Sequence, residues 1–138
     1  MENKELKDIF HQHLKPLNFK KKGNYWRLDS VEIEKIINLQ ASSYSRKYYV
    51  NYGFNLKNLD YDGVSMHIFN RLEDSDAFDL ENQLSSDERI SKLDEIINLS
   101  LLPKINQINT ENDILQLLGT RIHLNDIPLK VKAYLNIK

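Results

Sequence analysis

Apolar residues along this chain recur first at helical spacing, then at every second position, then at helical spacing again. Leu6, Ile9, Phe10, Leu14 and Leu17 fall on one side of a helix. Pro16 pushes the residue before it away from helical angles. A first helix is therefore expected over residues 2–15, within an N-terminal segment 1–17. The segment 18–70 reads as extended. Residues 19–29 are expected as a first strand, with Trp26 and Leu28 turned inward and Tyr25 and Arg27 outward. In "VEIEKIINLQ", Val31, Ile33, Ile37 and Leu39 share a parity. In "KYYVNYGFNL", Tyr48, Val50, Tyr52, Phe54 and Leu56 alternate with Tyr49, Asn51, Gly53 and Asn55. In "GVSMHIF", Val64, Met66 and Ile68 alternate with Ser65, His67 and Phe69. Period two gives each strand one buried face. The links "SSYSR" and "NLDYDG" are turn-forming, and their shortness favours an antiparallel meander.

Helical periodicity returns over 85–138. Ser85 with Glu88 is a capping-box signature, and Ile90, Leu93, Ile96, Ile97 and Leu101 follow at helical spacing. Pro103 should kink or end that helix. Thr110 and Asp113 mark a further start, with Ile114, Leu115, Leu117 and Leu118 behind them and Gly119 as a stop. Pro128 opens a last helix through Val131, Tyr134 and Leu135. The expected fold is a single α+β domain over 1–138. It has an N-terminal helix, a four-stranded antiparallel meander, and two or three C-terminal helices packed on one face.

A length of 138 residues suits one domain with a core large enough to fold without metal or disulfide. The absence of cysteine excludes disulfides, thiol nucleophiles and cysteine-ligated zinc, and fits a reducing compartment. No stretch approaches the ~18 apolar residues of a membrane span. "MENKELKDIFHQHL" lacks the apolar run of a signal peptide. A cytoplasmic protein without a membrane partner is the expectation. Net charge is −1, but Lys and Arg concentrate before residue 59 and Asp and Glu between 59 and 113. Such a chain can orient a charged partner, although sequence blocks mix on a folded surface.

The run Lys20-Lys21-Lys22 raises the question of nucleic acid. In one extended strand Lys20 and Lys22 point away from Lys21, so the three make no single patch. Lysine on an edge strand instead discourages pairing with other chains. A nucleic-acid surface needs several cations on one face with stacking aromatics. Nucleic acid is therefore not the expected partner; Lys20, Lys22 and Arg27 are the residues that would carry such binding.

Opposite the apolar face, the strand parities collect Glu32, Glu34, Asn38, Gln40, Tyr49, Asn51, Asn55, Ser65 and His67. Amides donate and accept hydrogen bonds but do not transfer protons near neutral pH. A solvated sheet face accounts for such a set. The functional alternative is a recognition surface of Gln40, Tyr49, Asn51 and His67, joined by Arg46 and Arg71 from the strand ends. Tyr49, Ile36 and Phe69 add apolar area that wants cover or a partner. No residue is assigned a catalytic role. His67 could serve as a general base only if a carboxylate oriented it, and Glu32 and Glu34 have merely the right parity. No serine lies in a nucleophile-elbow context.

His11 and His13 are two apart on a helix and face different ways, and His123 is isolated. "NLDYDG" imitates a calcium loop at Asn58, Asp60, Asp62 and Gly63, but its last ligand position falls on Phe69. No metal is expected. No cofactor is expected either, since there is no Gly-rich phosphate loop or dinucleotide fingerprint. The acidic run Glu73, Asp74, Asp76, Asp79 and Glu81 reads as a solvated loop or a dock for a basic partner.

Three segments, "LKPLNFKKKGNYWRL", "INLQASSYSRKYYVNYGF" and "HIFNRLEDSDAFDLENQ", resemble in order and spacing the domain-of-unknown-function family 4304 over residues 6–84. The chain departs from that family at Asn18, where Gly is expected, and at Phe78, where Trp is frequent. It departs also at Phe69-Asn70, where polar and basic residues more often precede "RL". The resemblance implies a small α+β domain found in bacteria and brings no catalytic residues.

The expected role is a non-catalytic protein-binding module, in concrete form an immunity-type protein that masks a toxin. The rival is a small-ligand binder or enzyme using His67, Asn51, Gln40 and Arg71. A cavity enclosing those side chains would separate the two.

Overall fold

The computed structural model describes all 138 residues. Its sheet runs in chain order through β1 (Lys20–Lys22), β2 (Tyr25–Asp29), β3 (Ile33–Ala41), β4 (Tyr48–Leu56) and β5 (Ile68–Arg71), each antiparallel to the next. The meander thus has five strands where four were expected. The stretch 19–29, expected as one strand, folds back on itself: Lys22 pairs with Tyr25 across Gly23-Asn24. Two-residue links suit the twist of paired strands, and they need positive φ at a central position. Gly23 supplies it with φ 61. The fold-back also changes the reading of the lysines. Lys20 and Lys22 still point away from Lys21, but they now lie beside Arg27 and Tyr25 as one cationic face.

α1 (Asn3–Leu14) runs into a 3-10 turn, Lys15–Leu17, that ends at Asn18 with φ 73. Left-handed backbone is glycine's usual province, and asparagine is among the few other residues that enter it readily. Asparagine in place of the glycine expected from the resemblance is therefore physically conservative.

The inner face of the sheet carries two apolar clusters. In the first, Trp26, Ile37, Leu39 and Val50 pack under Leu6, Phe10 and Leu14 of α1, and under Leu93 of α2 (Ser86–Ile96) and Ile105 of α3 (Leu102–Asn106). In the second, Ile33, Phe54, Leu56 and Ile68 pack under Ile114 and Leu118 of α4 (Glu111–Gly119) and Val131 and Leu135 of α5 (Leu129–Leu135). Helices therefore cover one side of the sheet. Lys35 stands on that side, in register with Leu28 and Phe54. It is buried, and its Nζ donates to Asn109 Oδ1 at 2.8 Å. Burial lowers its pKa, and the nearby Asp113 carboxylate partly opposes that shift.

Pro103 does not end its helix. α2 passes into α3 through a π turn, Ile97–Leu101, in which the Leu102 N–H donates to the Ile97 carbonyl. Pro103 has no N–H to place and sits in the first turn of α3. The buried residues Leu93, Ile97, Leu101 and Ile105 recur every fourth position. A regular α-helix would rotate that stripe by about 40° at each step. The wider turn takes up part of the drift.

The helix starts expected from the caps are present. Ser85 Oγ accepts the Glu88 N–H, and Thr110 Oγ1 accepts that of Asp113. The Asp113 carboxylate in turn accepts the N–H groups of Asn109 and Thr110, which hold its pKa below the ordinary range. From α2, the fully buried Arg89 donates to the carbonyls of Asp76, Ala77 and Asp79, and so fixes the loop that follows β5.

Three expectations of inward-facing residues, Val31, Val64 and Met66, need correction. Val31 is exposed at the bend before β3, and Val64 lies outside any strand. The last strand begins only at Ile68, and Met66 folds over Gly53 on the outer side. A Cβ at Gly53 would meet the Ile68 carbonyl oxygen at 2.3 Å and Met66 Sδ at 2.6 Å. Ile36, paired with Gly53, is fully buried and so is not open apolar area. At the sheet's two edges stand the lysines of β1 and the short β5, where Arg121 Nη2 donates to the Phe69 carbonyl.

Candidate functional site

The register aligns one residue from each strand across the uncovered face: Lys22, Tyr25, Asn38, Asn51 and Arg71. Next to this row stand Gln40 and its partner Tyr49. Three amides and the arginine form a closed network. Asn51 Nδ2 donates to Asn38 Oδ1 at 3.0 Å and to Gln40 Oε1 at 2.9 Å. Asn38 Nδ2 donates to the Asn24 carbonyl at 3.3 Å. Arg71 Nε donates to Asn51 Oδ1 at 3.0 Å, and Nη2 to Gln40 Oε1 at 2.8 Å. A guanidinium has only donors, so the amide oxygens must face it.

Arg71 is further held by stacking. Its Cζ lies 4.4 Å from the Tyr49 ring centroid and 5.9 Å from that of Phe69. Lys47 Nζ also lies over Tyr49, at 5.5 Å. Lys47 pairs with Asp74, whose hydrogen bond raises the lysine's pKa. Arg71 itself pairs with no carboxylate. Amides hold the side edge of its guanidinium, Nε and Nη2, while Nη1 has no partner within the chain. The side chain is exposed. This is an arginine locked in position with the end of its fork open to solvent.

Two of the six candidate residues lie away from this network. Arg46 sits in the β3–β4 loop, where its backbone N–H donates to Glu81 Oε1 and its Nη2 to the Met1 carbonyl. His67 is only 3% exposed. Its Nδ1 accepts the Leu56 N–H at 2.9 Å, so Nε2 carries the hydrogen and donates it to the Tyr61 carbonyl at 2.6 Å. The ring also stacks on Tyr61 with centroids 5.8 Å apart. Neither carboxylate of matching parity orients it. Glu34 accepts from Arg27 and Asn55, and Glu32 accepts the Glu111 N–H. His67 pins the β4–β5 connection to the end of β4. The helix histidines are occupied too: His11 Nδ1 accepts Trp26 Nε1–H, and His13 Nε2 pairs with Asp94.

Some neighbours of the network were not foreseen. Arg121, from the loop after α4, donates to the Phe69 carbonyl and to Asn70 Oδ1. With Ile122, His123 and Asp126 it borders a shallow hollow that also takes in Phe69, Asn70 and Arg71. Nothing local in the sequence signals a contact made across fifty residues of chain. At the opposite end of the face, Lys20, Lys22 and Arg27 border a second hollow with Asp29 and Glu34. Arg27 pairs with Glu34 at 3.0 Å and lies over Tyr25. Lys20 and Lys22 pair with no acid.

No helix is long and apolar enough to cross a membrane. The family described as Domain of unknown function (DUF4304) matches residues 10–107, a span that contains the whole Arg71 network. No curated protein and no solved structure matches the chain.

Proposed function

The chain belongs to the family of domains of unknown function DUF4304, a description without chemistry, and we propose from the geometry that it is a non-catalytic protein-binding module. Its contact surface is the uncovered sheet face around Arg71. One observation carries the reading: an exposed arginine fixed by Gln40 and Asn51, stacked on Tyr49, and lacking any acidic partner. Arginine and tyrosine are over-represented among residues that dominate binding energy. An arginine already held in place loses little freedom on binding, which favours affinity.

Two features favour a protein partner over a small substrate. The hollow that includes Arg71 takes in neither Gln40, Asn51 nor His67. The amides of the network cannot exchange protons near neutral pH, and the ring nitrogens of His67 are both engaged by backbone. In concrete form the protein is an immunity-type protein of a bacterial cytoplasm, masking a toxin with this face.

The test is site-specific photocrosslinking in the native cell. A photoreactive residue replaces Tyr25 on the bare face, and in a control replaces Leu115 on the helical side. The expected result is a discrete protein adduct at position 25 that disappears in Arg71→Ala. For the immunity form, co-expression with the neighbouring gene should restore growth with the wild-type chain and not with Arg71→Ala. An adduct equally strong in the variant, or none at position 25, refutes the proposal.

A further inference from the structure

We infer that the partner presents an acidic protein surface, with carboxylates that meet two separate cationic points on the bare face. One point is the open end of Arg71 and the other is the Lys20–Lys22–Arg27 hairpin. The inference rests on the protein-binding reading and adds the partner's chemistry to it.

Charge at the two ends of the Lys22–Arg71 row runs against that of the whole chain. The chain carries a net −1. The two ends of the row display Lys20, Lys22, Arg27 and Arg71, while the acids Asp29, Glu34, Asp60 and Asp62 gather with Lys57 around a separate hollow beside His67, and Glu34 is spent on Arg27. Three of the four cations, Lys20, Lys22 and Arg71, form no ion pair within the molecule. Arg71 is the most specific of them. The amides consume its side edge, which leaves the end-on pair of nitrogens for a planar oxyanion, the geometry in which carboxylates bind bidentately.

The spacing favours a folded acidic protein over a nucleic acid. Lys22 and Arg71 are at opposite ends of a row five strands wide, so about 19 Å separates their backbones at ordinary strand spacing. Between them the row holds Tyr25, Asn38 and Asn51, none of them charged. A contact disc of about 800 Å² spans such a distance. A nucleic-acid strand carries a phosphate every few ångströms and would leave its middle phosphates unmatched. Bases would also need bare aromatic planes. Arg27 lies over Tyr25, while Arg71 and Lys47 lie over Tyr49.

The experiment titrates the isotopically labelled full chain with an oligo-glutamate peptide, an oligo-glutamine peptide of equal length, and an oligouridylate of the same charge as the first. Magnetic resonance follows the Arg71 Nε–H signal and the amides of Lys22, Tyr25 and Asn51. Oligo-glutamate should shift these signals and oligo-glutamine should not. Arg71→Gln, and separately Lys20→Gln with Lys22→Gln, should each weaken the peptide about fivefold or more, as expected for loss of a charge pair. The lysine pair is exposed, so that variant keeps its fold even if Arg71→Gln does not. Absence of shifts on this face, unchanged affinity in the lysine variant, or tighter binding of oligouridylate overturns the inference. Crosslinking at position 25 in a Lys20→Glu, Lys22→Glu chain separates the two proposals. An adduct that survives charge reversal removes the acidic-partner inference and leaves the binding reading standing. Absence of any adduct in the wild-type chain removes the binding reading itself.

Discussion

Replacing His67 by Phe keeps a ring that can stack on Tyr61 but removes both hydrogen-bonding nitrogens. The β4–β5 ladder ends at the pair Phe54 and Ile68. Beyond it, the N–H of Leu56, a residue 1% exposed, is met by His67 Nδ1 at 2.9 Å instead of by a strand. Without that acceptor a buried donor is stranded, at a cost of about 1–3 kcal/mol. The Tyr61 carbonyl, 2.6 Å from Nε2, belongs to a partly exposed residue and can turn to water, so its loss costs about 1 kcal/mol. The sum, about 2–4 kcal/mol, is a large share of the 5–15 kcal/mol typical of whole-domain stability. Small domains lose about 1–3 kcal/mol per molar urea, so at a mid-range slope of about 2 the unfolding midpoint of His67→Phe should fall by about 1–2 M. Hydrogen exchange should show the Leu56 amide losing its protection, while binding through Arg71 persists under native conditions. A midpoint within about 0.3 M of wild type, with Leu56 still slow to exchange, would mean that the imidazole is not what holds this junction.

Three further substitutions test the packing. Gly53→Ala sets a Cβ 2.3 Å from the Ile68 carbonyl oxygen, which forces β5 to shift; thermal melts should show a loss of about 1–3 kcal/mol or more, and an unchanged melting temperature would refute the close approach. Lys35 has a folded pKa lowered from the ordinary 10.5, chiefly by burial, so the unfolded chain binds more protons just below that value and native stability should rise with pH through that window. Lys35→Met should abolish that rise and be neutral or stabilising near pH 7; an identical pH profile in urea melts would count against it. Arg89 meets the carbonyls of Asp76, Ala77 and Asp79 through Nη1 and Asn82 Oδ1 through Nη2, so Arg89→Lys keeps the charge but has one nitrogen where two are used; a loss of about 2–4 kcal/mol and faster proteolysis within residues 76–82 are expected, and unchanged proteolysis would disprove the clamp.

The legible parts of this fold are those where side-chain period and backbone period coincide. β3 and β4 are nine residues each, long enough for alternation to declare both faces, and the pairing of Asn38 with Asn51 and Gln40 with Tyr49 follows once they form a meander. β1 was hidden because three consecutive lysines carry no alternation, and only Gly23-Asn24 hints at a turn. The π turn was hidden because it alters which carbonyl each N–H reaches while leaving an ordinary helical spacing of leucines and isoleucines. Gln40, Tyr49, Asn51 and Arg71 come together because all four sit in strands, where parity decides direction. Arg46 and His67 do not join them because each lies in a connection, where parity has no meaning. Arg121 reaches β5 through tertiary packing alone.

Both flanks of the sheet discourage an incoming strand. β1 offers three residues of backbone, all of them lysine, and on β5 the Phe69 carbonyl is already capped by Arg121. Main-chain zippering is a recognition mode that tolerates almost any sequence with the right shape. A molecule that forgoes it must discriminate by what its residues display across the strands. Choice of ally then changes by point substitution at positions such as Lys22 or Gln40, with the scaffold beneath left as it is.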